Sequence, residues 1–257
     1  MSIALDTAPH APAGAFGRIW SVVKLNLANP WTAIILPWII LGVIFVANVA
    51  IWLIIDRAVG DAGDRADAVD GFSYSGAAMY IFVYMMVVAV QTVNLTFPFA
   101  QGYGVTRRDF YLGTSLTFVL LAAMYSVGLT ILAAIEEATG GWGLDGRMFT
   151  AIYFGDGAWY ERLWIYFTAF LFFFFVGAVA AAIFVRWKAN GIIAFFIGVG
   201  LLLIGLAALF TYTGTWPQFG AFFATAGWLG SYTWSLVVTV LAAIAGFFVL
   251  RRATPKS

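Results

Sequence analysis

The side chains able to do chemistry are few and stand apart. His10 is the only histidine and cysteine is absent, which excludes thiolate nucleophiles, multi-histidine metal sites, Cys-ligated zinc and iron–sulfur clusters. No G-x-x-x-x-G-K-S/T occurs, so this chain has no loop to cradle nucleotide phosphates. Asp56, Asp61, Asp64, Asp67 and Asp70 invite a calcium reading, but the D-x-D/N-x-D/N-G pattern with its distant Glu is not met, and a solvated acidic loop fits better. The neighbours Glu136 and Glu137 stand near the edge of an apolar run. Gln91 and Asn94, at i and i+3, share a helix face and form a candidate substrate path, or a hydrogen-bonding patch against a neighbouring helix. The densest constellation is Phe97-Pro98-Phe99-Ala100-Gln101-Gly102-Tyr103-Gly104-Val105-Thr106-Arg107-Arg108-Asp109-Phe110-Tyr111-Leu112-Gly113.

The elements that carry these residues are set by hydropathy. Of 257 residues, 63% are apolar and 10% charged, against about 25% charged in an average soluble domain. No soluble fold of this size hides so much apolar surface, and disorder needs the opposite composition. Six runs, about 31–55, 77–100, 112–135, 163–185, 190–212 and 230–250, are each long enough for the roughly 20-residue helix that crosses a bilayer. Their continuous apolarity rules against a β-barrel, whose strands alternate. The fold class is thus all-α integral membrane protein.

Residues 1–13 read as a disordered leader without the basic start and apolar core of a signal peptide. In 14–29, Phe16, Ile19, Trp20, Val23 and Leu27 recur at helical spacing with Arg18, Lys24 and Asn26 off the stripe. This predicts an amphipathic helix lying in the membrane interface, which Pro30 separates from the first span. The domain organisation is therefore leader 1–13, interfacial helix 14–29, six-helix domain 30–250 and tail 251–257.

With the N-terminus inside, the inner segments hold Arg18, Lys24, Arg107, Arg108, Arg186, Lys188, Arg251, Arg252 and Lys256, nine of the 13 Lys and Arg. Only Arg57, Arg65, Arg147 and Arg162 fall outside. The positive-inside rule puts both termini in the cytoplasm.

Of the outer segments, 136–162, rich in Gly and aromatics around Trp142, predicts a compact cap. The charge-free 213–229, with Trp216, Phe219, Phe222, Phe223 and Trp228, predicts a re-entrant piece that dips into the membrane edge. Gly177-x-x-x-Ala181, Gly198, Gly200 and Gly205 are expected where helices approach closely. The run Phe170, Phe172, Phe173, Phe174 and Phe175 covers every side of a helix and reads as packing and lipid-facing surface, not a ligand box.

In the densest constellation, Pro98 and the glycines end one helix and permit a sharp turn. Thr106 caps a new short helix whose third residue is Asp109, offering Arg107, Arg108, Phe110 and Tyr111 at the cytoplasmic surface to a partner's pocket. An ordinary basic loop would explain the arginines but not the aromatics and glycines. The run Gly104-Val105-Thr106-Arg107-Arg108-Asp109-Phe110-Tyr111 resembles the permease subunits of type-2 ATP-binding-cassette (ABC) exporters. So does the closing Phe248-Val249-Leu250-Arg251-Arg252-Ala253-Thr254-Pro255. The elbow-like helix, six spans and aromatic segment before the last span extend the resemblance over most of the chain.

That resemblance implies a coupling helix over 101–112, with Thr106, Arg107, Arg108, Asp109, Phe110 and Tyr111 docking into a separate ABC ATPase subunit, and the elbow against the same partner. It implies a second permease copy or sister permease, and no cofactor on this chain, since ATP and Mg belong to the ATPase. It also implies a bacterial plasma (inner) membrane location and export rather than enzymatic activity, with charge-free spans suiting a hydrophobic or amphipathic cargo (drug, peptide or lipid). Two protease readings fail: an intramembrane glutamyl protease needs an Arg shortly after its Glu and later histidines, and a rhomboid-like enzyme needs His. The other class that fits is a non-transporting immunity or sensor protein that binds a partner through the same basic loop.

Overall fold

The computed structural model describes residues 14–59, 67 and 69–253. The leader with His10, the acidic-loop residues Asp61 and Asp64, and the tail from Thr254 lie outside the described residues. Those described form helices and connecting turns, with no strand among them. The order is α1 (Ala15–Asn26), α2 (Trp31–Ala58), α3 (Met79–Gly102), α4 (Arg107–Ala138), α5 (Trp159–Thr213) and α6 (Trp216–Arg251). The five helices α2 to α6 are long and apolar enough to cross a membrane, which makes this a multi-pass membrane protein.

Where two spans are expected, at 163–185 and 190–212, α5 runs on for 55 residues. A straight helix of that length would reach about 80 Å, against about 30 Å of hydrocarbon. The backbone breaks at Lys188 (φ 59, ψ −150), leaving limbs 159–187 and 189–213. A charged, non-glycine residue in that region is strained. α6 has a matching break at Gly227 (φ 63, ψ −171), so the aromatic segment before the last span is helical and joined to it through a kink.

The core lies among α3, α4 and the first limb of α5. Phe118 stacks on Phe174 at 4.9 Å and Phe82 meets Phe170 at 4.4 Å, while Phe82, Phe118, Tyr125, Tyr166, Phe170 and Phe174 are all buried. Gly177 makes the close approach of α3 possible: a Cβ there would stand 2.6 Å from the Met86 carbonyl oxygen. Gly198, Gly200 and Gly205 do not act this way, since nothing lies within 4 Å of a Cβ at any of them. The small residues expected at helix contacts divide sharply at Lys188.

Proline explains an irregularity in α2. Pro37 cannot donate to the Ala33 carbonyl and crowds it; the chain accommodates this with a wide π-turn over Trp31–Ile35. In an apolar medium the freed carbonyls need donors. Tyr125 of α4 donates to Ala33 O at 2.8 Å, and Tyr84 of α3 donates to Thr32 O at 3.1 Å. A second π-turn, Thr92–Thr96, precedes Pro98 in α3.

Candidate functional site

The two ends of the bundle are built differently. At the first, α1, the α3–α4 turn and the end of α6 are tied together. Arg18 Nε pairs with Asp109 Oδ2 at 2.8 Å, Asn26 Nδ2 donates to Thr114 and Thr117 at 3.2 and 3.3 Å, and Arg107 donates to the Arg251 carbonyl at 2.9 Å. The last contact puts a cation on a helix C-terminus, where free carbonyls carry partial negative charge. α1 lies so close to α4 that a Cβ at Gly113 would be 2.5 Å from Val22 Cβ and 2.8 Å from the Ile19 carbonyl oxygen.

The Thr106 cap is present: its hydroxyl accepts from Asp109 N–H at 3.1 Å. The helix it opens is not the separate short coupling helix expected over 101–112. Residues 101 and 102 close α3, Tyr103 to Thr106 make the turn, and Arg107 starts α4, which continues for 32 residues. The intended docking residues divide accordingly. Thr106 and Arg108 are exposed and Arg107 is half-buried. Asp109 is buried against Arg18, Phe110 is fully buried against Phe97 (5.2 Å), and Tyr111 is buried with its hydroxyl donating to the Ala243 carbonyl. Continuity with the span turns Phe110 and Tyr111 inward, because the apolar stripe of α4 already begins there.

Exposed aromatics near this turn are Phe99 (52% exposed), on the last turn of α3, and Tyr103 (76%), just past its end, their rings 4.8 Å apart. The turn beneath them is held by Gln101 Nε2 donating to the Val105 carbonyl at 2.8 Å and by Gly104 at φ 77. A shallow groove of about 290 Å³ runs between this pair and Ser21, Val22 and Leu25 of α1. The first end thus offers a rigid plate with a basic and aromatic edge.

The opposite end is organised by Glu136, which is 1% exposed. Its carboxylate accepts from the backbone N–H groups of Met148, Phe149 and Thr150 at 3.0, 3.1 and 2.8 Å, from Thr150 Oγ1 at 2.7 Å and from Trp142 Nε1 at 2.9 Å. Both oxygens accept from donors, and the group fastens the loop to α4. Glu137 pairs with the buried Arg162 at 2.7 Å, and Ile152 N donates to the Ser73 carbonyl at 3.0 Å. Burial, reinforced by nearby Tyr232 and Glu136, pushes the Tyr153 phenol up to about 12. The compact cap expected over 136–162 has this chemical basis.

The candidate path residues lie on α3, on either side of the start of its π-turn, Thr92–Thr96. Gln91 is exposed, while Asn94 is half-buried with its Oδ1 unpartnered. Within the Phe run, Phe170 and Phe174 are core, while Phe172 and Phe173 line a cleft between α5 and α6. Comparison of the chain with protein-family models, with curated proteins and with solved structures returns no match.

Proposed function

We propose that the chain is the membrane-spanning permease subunit of an ABC exporter, driven by ATP hydrolysis on a separate ATPase subunit. The observation that carries this reading is the plate at the Asp109 end. There an amphipathic N-terminal helix, the α3–α4 turn and the C-terminal end of α6 are bound into one unit by Arg18–Asp109 and Arg107–Arg251. A subunit that receives mechanical work needs such a rigid transmission: displacement of the turn would move α3 and α4 together with α1.

In this reading the limbs of α5 are two spans, for six crossings in all. α1 is the interfacial elbow, and the Asp109 end with both termini faces the cytoplasm of a bacterial inner membrane. Two permeases, identical or sister chains, enclose the path of a hydrophobic or amphipathic cargo. The ATPase meets Tyr103, Phe99, Thr106 and Arg108, while Asp109, Phe110 and Tyr111 hold the plate together from within.

The test is affinity purification from gently solubilised membranes of the wild type and of a Tyr103→Ala, Arg108→Glu double variant, with mass spectrometry and an ATPase assay. The expected result is a stoichiometric ATP-hydrolysing partner that the double variant loses while remaining folded. An intact wild-type chain that brings down no ATPase overturns the exporter reading in favour of a stand-alone immunity or sensor protein.

A further inference from the structure

A cleft of about 750 Å³ lies where α6 breaks, within the roughly 300–1,000 Å³ usual for small-ligand sites. Phe172 and Phe173 of α5 form one wall, and Phe223, Trp228 and Tyr232 of α6 the other, with Gly227 between. The cleft belongs to the Glu136 half of the molecule. A Cβ on Gly155, in the loop at that end, would stand 3.4 Å from Trp228 Cβ, and Trp164 Nε1 donates to Thr233 Oγ1 at 2.9 Å beside it. No Asp, Glu, Lys or Arg lines it. Of its hydroxyls, Ser231 donates to the Gly227 carbonyl at 2.7 Å and Ser235 to the Tyr232 carbonyl at 2.6 Å, so both protons are spent. The Tyr232 phenol has no hydrogen-bond partner among the described residues. It is a donor without a protein acceptor on a cleft whose other lining side chains are apolar or have spent their hydroxyl protons.

We propose that this cleft binds an uncharged lipophile carrying one hydrogen-bond acceptor, such as an ester carbonyl, which enters sideways from the hydrocarbon phase and receives the Tyr232 proton. Absence of any lining charge selects against ionic ligands, because an unpaired charge there would be left desolvated. The aromatic walls take the aliphatic or aromatic body, and the phenol sets its depth. The chemistry is shared by two sources: the ester groups of resident lipid and a foreign uncharged lipophile. The site requires no ATPase and stands whether or not the exporter reading does.

The test uses the full-length chain in phosphatidylcholine nanodiscs with three photoreactive diazirine probes: an acyl-labelled phosphatidylcholine, a fatty-acid methyl ester and an alkane of equal length. Labelled peptides are mapped by mass spectrometry. The ester probe is expected to label 169–173 and 223–235 and to be competed by unlabelled methyl ester. Tyr232→Phe should weaken that competition about three- to tenfold, the worth of one hydrogen bond, without changing alkane labelling. Ala224→Trp, which fills the cleft, should abolish focused labelling by both; if that variant does not fold, Tyr232→Phe alone decides. Focused labelling by phosphatidylcholine identifies resident lipid as the occupant, and focused labelling by the ester alone identifies a foreign lipophile. Labelling spread evenly over α2 to α6, or an equal loss of ester and alkane in Tyr232→Phe, overturns the proposal.

Discussion

Residues 15–187 and 189–251 are both helical and apolar, yet they hold together by different means. The first part buries its side chains against itself and stitches its ends with Arg18–Asp109, Glu136 and the tyrosines that reach backbone carbonyls. In the second part, every buried residue of α5 precedes Lys188, and α6 buries only Thr239, Gly246 and Leu250. From 189 to 250 there is no charged residue at all. Leu201, Leu202, Leu203 and Ile204 are each more than 60% exposed. The difference teaches that mean hydropathy says only that a helix lies in lipid; where a bundle has its own interior is decided by scattered polar groups and by a few small residues in contact.

Substitutions can break this contrast or sharpen it. The largest effect is expected from Glu136→Ala, which orphans backbone donors at 148–150 together with Trp142 Nε1. At about 1–3 kcal/mol for each unsatisfied buried group, thermal unfolding in detergent should show a loss above about 4 kcal/mol, and survival of the native melting temperature would deny the carboxylate its fastening role. Phe110→Ala should cost about 3–5 kcal/mol in the same measurement, the usual range for emptying a buried aromatic site. A near-neutral result would mean that Phe110 faces outward as a docking residue after all.

Smaller effects follow at the plate and in the hairpin. Gly113→Ala should cost about 1–3 kcal/mol through overpacking and should make α1 more susceptible to limited proteolysis, because the added methyl meets backbone at Ile19. Asp109→Asn should cost only about 0.5–1 kcal/mol, since Arg18 is half exposed and its charge screened. Leu203→Ala in the second limb of α5 should move stability by less than about 0.5 kcal/mol in a bilayer, where lipid replaces the lost methyl contacts. A large loss there would mean that 189–213 is covered by another protein surface.

Part of this arrangement is legible in the sequence, and the rest is not, for physical reasons. The all-helical, apolar class, the helix at 15–26 and the Thr106–Asp109 cap follow from hydropathy, periodicity and spacing. A span that starts at 112 leaves Phe110 and Tyr111 outside it, whereas both are buried. The buried stripe Phe110, Thr114, Thr117, Leu121, Tyr125, Leu129 continues at helical spacing back past that point, and following it would have turned both aromatics inward. Phe99 and Tyr103, four apart, were the pair to single out at the surface. The pairing of Tyr125 with the carbonyl freed by Pro37 joins residues far apart in sequence, and no local pattern announces it. The cleft at Gly227 depends on one backbone dihedral pair, while hydropathy registers only an aromatic segment.

Lys188 has a consequence for how the protein is made. It and Arg251 are the charges that bracket the last stretch of chain, and nothing ionic lies between them. A nascent helix pair without charge carries no orientation signal of its own. If the pair crosses the membrane as proposed, its topology is decided at its two margins, by a cation that stays behind before the pair inserts and another that stays behind after it. On that reading, moving either charge along the chain would invert or strand the hairpin.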